Sequence, residues 1–125
     1  MSQPLPVSLE APYNQALNAL KAGNRQQAAQ IFQQILQSVP NHSGSLNGLG
    51  EILLLQGDKV KAHDFFKRAV NSQPNFYQAL LNLGRTNRDL LQFDAALKCY
   101  KKILKKHPKH AVTLDQMGIT LIRAR

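Results

Sequence analysis

Apolar residues along this chain recur at helical spacing rather than in strand-like alternation. Leu46, Leu49, Gly50 and Leu53 stand at i, i+3, i+4 and i+7, which places them on one face of an α-helix. Gln56, Gly57 and Asp58 break that helix, Gly57 being free to take the positive φ that commonly ends one. A second stripe follows in Ala62, Phe66, Ala69 and Val70. It stops at Pro74, because proline lacks an amide donor and restricts the residue before it. The pattern predicts two amphipathic helices joined by a tight turn.

The same pair returns along the chain. Pro40, Pro74 and Pro108 are each 34 residues apart, and so are Gly50, Gly84 and Gly118. Leu46, Leu80 and Leu114 keep the step, as do Ala28, Ala62 and Ala96, and then Phe32, Phe66 and Tyr100. Five columns agreeing on one interval establish a repeat, and a period of this length points to a stacked array. First helices are predicted at 11–22, 43–56, 77–90 and 111–124, and second helices at 25–38, 59–71 and 93–106. Residues 1–8 are expected to form a flexible tail. Pro12 is expected in the first turn of the opening helix, where its missing donor costs nothing. A mid-helix glycine costs about 1 kcal/mol relative to alanine. Gly50 and Gly84 are therefore read as packing positions that let the second helix approach opposite Ala62 and Ala96, with the large rings filling the gap one turn later.

The second repeat reads L-x-x-L-G-x-x-L…G…A-x-x-x-F-x-x-A…P, an order that resembles the tetratricopeptide repeat. The resemblance covers residues 9–125, as repeats at about 9–42, 43–76 and 77–110 and the first helix of a fourth at 111–125. It departs from the pattern in repeat one, where Pro12 and Ala16 stand in the columns of Leu46 and Gly50. Leu91 replaces the turn glycine seen at Gly23 and Gly57. The resemblance implies an all-α, right-handed α-solenoid of about seven antiparallel-paired helices, its first helices lining a concave groove. Gly118 would then await a second helix that the chain does not contain. One reading makes this the N-terminal part of a longer protein; the other makes the last helix a cap.

Composition fits this picture. The 125 residues are the size of one domain, and 43% are apolar, with no Trp. The lone Cys99 cannot form an internal disulfide, so a reducing compartment is the easier fit. The first eight residues lack the apolar segment of a signal peptide, and the longest apolar run, Ile52 to Leu55, is far short of a membrane span. A cytoplasmic location without membrane insertion is expected. Net charge is +9 at a pI near 10.1. Residues 98–125 hold eight of the cations against the single Asp115.

Catalytic chemistry is hard to place. His42, His63, His107 and His110 are scattered, Pro108 interrupts the helix that would align the last two, and lysines rather than carboxylates surround them; they read as solvated turn residues, not as a zinc site. Cys99 has lysine neighbours but no histidine placed as its base, and reads as a structural thiol. No phosphate-cradling loop is present. No catalytic site, cofactor or metal is expected within these residues.

Binding is the remaining class. The groove-facing positions implied by the resemblance are Tyr13, Asn14, Leu17 and Lys21 in repeat one and Asn47, Glu51, Leu54 and Leu55 in repeat two. Repeat three offers Gln78, Leu81, Asn82, Arg85, Arg88 and Asp89, and the last helix Asp115, Gln116, Ile119 and Arg123. Leu54 or Leu55 is an anchor candidate, or else contacts a neighbouring helix. Asn14, Asn82 and Gln116 share one repeat position, with Gly48 between them, and resemble part of the asparagine ladder of protein O-glycosyltransferases. The carboxylate clamp of chaperone-binding relatives is not expected, because Tyr13, Leu17, Gly48, Gln78 and Asn82 supply none of its cations. The basic segment 98–110 reads as a solvated face, with nucleic-acid or lipid contact the weaker reading. The expected function is a protein–protein interaction module holding an extended, acidic partner segment. The alternatives are a docking or oligomerisation arm of a larger bacterial enzyme (a glycosyltransferase, methyltransferase or sulfotransferase), and nucleic-acid binding by charge. Self-association through the open C-terminal end is also expected.

Overall fold

The turns set the register of the whole stack. Gly23 and Gly57 take φ of +85° and +86°, and Leu91, in the same column, takes +64°. At each turn an amide reaches back five residues to close the preceding helix: Asn24 N to Ala19 O, Asp58 N to Leu53 O and Gln92 N to Asn87 O. A computed structural model, which describes residues 4–125, contains seven helices among those residues. They are α1 (Val7–Lys21), α2 (Arg25–Ser38), α3 (Ser43–Leu55), α4 (Lys59–Ser72), α5 (Tyr77–Asp89), α6 (Phe93–Lys106) and α7 (Ala111–Arg123). Each falls within one residue of its predicted bounds, apart from the start of α1.

That start is a correction. α1 opens at Val7, inside the stretch 1–8 expected as tail, of which residues 1–3 lie outside the described part. Pro6 at the N-cap, with φ −57° and ψ 146°, ends the preceding segment, and Leu9 N bonds its carbonyl at 2.9 Å. Pro12 consequently sits one turn deeper in the helix than expected, where its missing amide forfeits a hydrogen bond.

Each helix packs on the next in the chain, and α1 also touches α3, as α5 touches α7. The first helices thus stand shoulder to shoulder while α2, α4 and α6 fan outward, giving a right-handed α-solenoid of antiparallel pairs. Its core is a column of rings and small residues. Phe32, Phe66 and Tyr100 are fully buried, as are Ala28, Ala62 and Ala96. The rings themselves occupy the space over the glycines. A Cβ on Gly50 would fall 2.5 Å from the Phe66 ring, and one on Gly84 the same distance from Tyr100. Gly48 does likewise for Phe32 across the repeat boundary, at 2.5 Å. The glycines therefore accommodate a ring rather than the neighbouring helix as such. Nothing lies within 4 Å of a Cβ on Gly118, and Leu114 and Leu121 beside it are half exposed.

Two of the four histidines cap helices, and one of them, buried His42, corrects the reading of all four as solvated turn residues. His42 and His110 are the N-caps of α3 and α7, their Nδ1 atoms accepting from the amides of Ser45 at 3.2 Å and Thr113 at 3.3 Å. The hydroxyls of the same residues lie 2.8 Å and 2.7 Å from those nitrogens. An Nδ1 that accepts an amide hydrogen must be unprotonated, so both caps require the neutral ring. His42 is buried, its ring edge-on to Tyr13 at 4.8 Å.

Candidate binding surface

The first helices offer four backbones side by side, and the side chains between them decide what is left for a ligand. Asn82 Nδ2 donates to Asn47 Oδ1 at 3.0 Å and to Glu51 Oε1 at 3.2 Å. Asn47 Nδ2 donates to the same Glu51 oxygen at 3.2 Å, and Gln78 Nε2 reaches Asn82 Oδ1 at 3.4 Å. Both asparagines are buried. These carboxamides were expected to face the groove; they pair with each other and with Glu51 instead. Adjacent first helices bring them together at one height, and a buried amide left without a partner would be costly.

A second network closes the other end. The Arg88 guanidinium donates to Gln116 Oε1 and lies 3.4 Å from Asp89 Oδ1, which Arg123 also reaches at 3.5 Å. Arg88, Asp89, Gln116 and Arg123 thus tie α5 to α7. The asparagine-ladder positions accordingly divide: Asn82 and Gln116 are engaged, while Asn14 is exposed.

The apolar candidates divide too. Tyr13 is half buried, its ring 6.2 Å from that of Phe32, and it fills the space over Gly44. Burial, and then the charge of Glu51, push its phenol above the ordinary value. Leu17 packs on the Phe32 cluster and Leu54 on the Phe66 cluster, so both serve the core. Leu81, expected to face the groove, is buried in the core at 5% exposure. Leu55 alone of the two anchor candidates is open, at 57%.

What remains available on these helices is Asn14, Lys21, Leu55 and Gln78, with half-buried Glu51 and Arg85 and exposed Asp115 and Ile119. Arg85 stands out. It is half buried yet makes no hydrogen bond or ion pair among the described residues.

Little else points to chemistry. Burial raises the Cys99 thiol above its ordinary value despite Lys98 and Lys102, and Asn87 Nδ2 lies 3.9 Å from its sulfur. His63 is held by Asn87 Oδ1 at 2.7 Å. Among the described residues no cluster of three or more His, Cys, Asp and Glu is arranged to hold a metal, and no helix is long and apolar enough to cross a membrane.

A family profile described as tetratricopeptide repeat matches residues 13–77, and a second with the same description matches residues 78–110. Among curated proteins, the RNA polymerase-associated protein CTR9 of Caenorhabditis elegans is 29% identical over 82 residues, 66% of this chain and 7% of that protein. Cellulose synthase operon protein C of Komagataeibacter sucrofermentans is 37% identical over 68 residues, 54% of this chain and 5% of that protein. The chain therefore spans only a small part of these relatives. Among solved structures, the Sgt2 TPR domain from Aspergillus fumigatus superposes with a TM-score of 0.83 at 16% identity, covering 94% of this chain and 80% of that one. The first TPR of Spaghetti (RPAP3), solved bound to the HSP90 peptide SRMEEVD, gives 0.84 at 13% identity, covering 92% and 91%. A Thermobaculum terrenum O-GlcNAc transferase gives 0.85 at 21%, covering 97% of this chain and 23% of the transferase.

Proposed function

The chain belongs to the tetratricopeptide-repeat family, and we propose that it acts as a protein-interaction module holding an extended partner segment along its first-helix wall. The observation that carries this is Arg85. Its neighbours Arg88 and Arg123 already have acceptors, whereas Arg85 is partly desolvated and has none. A carboxylate brought to such a cation gains more than it would at an open surface. Exposed Asn14 and Gln78 offer amide donors and acceptors to a guest backbone, and Leu55 an apolar contact. The RPAP3 domain supports the reading, since its peptide SRMEEVD is rich in carboxylates. The contacts differ from the carboxylate clamp of chaperone-binding relatives, because Tyr13, Leu17, Gly48, Gln78 and Asn82 occupy its positions and supply none of its cations.

A second reading treats the module as an arm of a larger enzyme. The likeness to a bacterial transferase of which this chain covers 23% supports it. The gene sequence downstream of Arg125 tests this: a catalytic domain there supports an arm, and a stop codon directly after it argues against one.

For the first reading, peptides selected from a random library on the folded chain should be titrated against the Arg85→Glu variant. Reversal at this position should weaken an acidic peptide by a few kcal/mol at most, and at least tenfold in Kd. Unchanged affinity would refute wall binding through Arg85.

A further inference from the structure

The outer face of α6 carries a feature that the first-helix wall does not use. Lys98, Lys101, Lys102 and Lys105 stand at i, i+3, i+4 and i+7, and all four are exposed. Lys106 and Lys109 extend the stripe, and no acidic residue occurs between Asp94 and Asp115. None of these lysines joins an ion pair among the described residues. Pairs 98/102, 101/105 and 102/106 set like charges one helical turn apart, each a local destabilisation. The opposite face of α6 is committed to the core through Ala96, Cys99, Tyr100 and Ile103.

Beside this stripe lies a cleft of about 360 Å³ lined by Pro74, Asn75, Tyr77, Lys102, Lys105 and Lys106. It has a proline ring and a tyrosine ring on one side and lysine stems on the other. The volume suits one large apolar side chain.

We infer that this face binds an acidic peptide segment that places one apolar residue in the cleft between Tyr77 and Lys102. Carboxylates on either side of the anchor would meet the lysines and relieve their mutual repulsion. The chemistry of the cleft favours a peptide over other polyanions. Tyr77, whose ring meets His107 edge to face at 4.9 Å and 87°, is the one aromatic residue lining the cleft, so successive bases would find no row of rings to stack on. None of the large exposed apolar side chains lies on α6, so there is nothing there to insert into a lipid surface. The site is separate from Arg85, which lies on a first helix.

The test is fluorescence anisotropy with a labelled peptide of eight glutamates interrupted at its centre by one phenylalanine. Lys102→Glu or Lys105→Glu should weaken it at least tenfold. Arg25→Glu on α2 makes the same change in net charge and should leave Kd within twofold. Replacing the probe's phenylalanine with alanine should weaken it several-fold. The inference is overturned if Arg25→Glu weakens binding as much as Lys102→Glu does, or if the alanine probe binds as well as the phenylalanine one. Tighter binding of an oligothymidylate of equal charge at the same salt would also overturn it, in favour of nucleic acid. Lys102 and Lys105 are exposed, so the variants should keep the far-ultraviolet circular dichroism of the parent chain.

Discussion

A single proton on His42 should loosen the start of α3. Its Nδ1 caps the helix only when unprotonated, and burial lowers the ring's proton affinity below the ordinary imidazole value. Between that lowered value and about 6.5 the unfolded chain binds a proton that the folded chain does not. Stability, complete above that range, should therefore fall as pH drops through it. Urea denaturation at pH 7.5 and 5.5 should show the loss, and His42→Asn, which keeps a capping oxygen, should reduce it. A flat stability profile would contradict the cap. The Asn82 network invites a second test. Asn82→Ala strands a buried Asn47 acceptor and should cost about 1–3 kcal/mol by denaturation. At this scale the sequence was only partly readable. Period 34 identified the face on which Asn47 and Asn82 lie, but not that two side chains 35 residues apart would satisfy each other. The caps did leave a signal, a histidine followed three residues later by Ser or Thr, at His42 and again at His110.

Helices were the most legible level, because glycine and proline punctuation and a 3.6-residue stripe act locally. The start of α1 escaped since Pro4, Pro6 and Pro12 all compete to mark it, and only the Pro6 cap does so. The glycines give a paired prediction. Gly50→Ala forces a methyl into the Phe66 ring and should destabilise by about 1–3 kcal/mol. Gly118→Ala meets nothing and should instead stabilise α7 by up to about 1 kcal/mol. Thermal melts of the two variants check this, and equal effects would disprove the assigned role of the ring. Leu91, at φ +64° and 73% exposed, pays for a left-handed conformation that glycine adopts freely, so Leu91→Gly should not destabilise.

The stack as a whole followed from five recurring columns, and the way its first helices consume one another's polar groups did not. That consumption narrows what the wall leaves for the proposed partner from a row of arginines and asparagines to Arg85 with a few exposed amides. The C-terminal edge has a consequence of its own. Leu114, Leu121 and Ile122 are 47%, 51% and 66% exposed around the empty position at Gly118. Light scattering should show a mass that rises with concentration, and a strictly monomeric chain would argue against association there. The most direct measurement concerns the wall itself: titration of a library-selected peptide into ¹⁵N-labelled chain, followed by amide chemical shifts. Binding along the first helices predicts the largest shifts on α3 and α5, around Glu51, Gln78 and Arg85. Shifts confined to α2, α4 and α6 would contradict it.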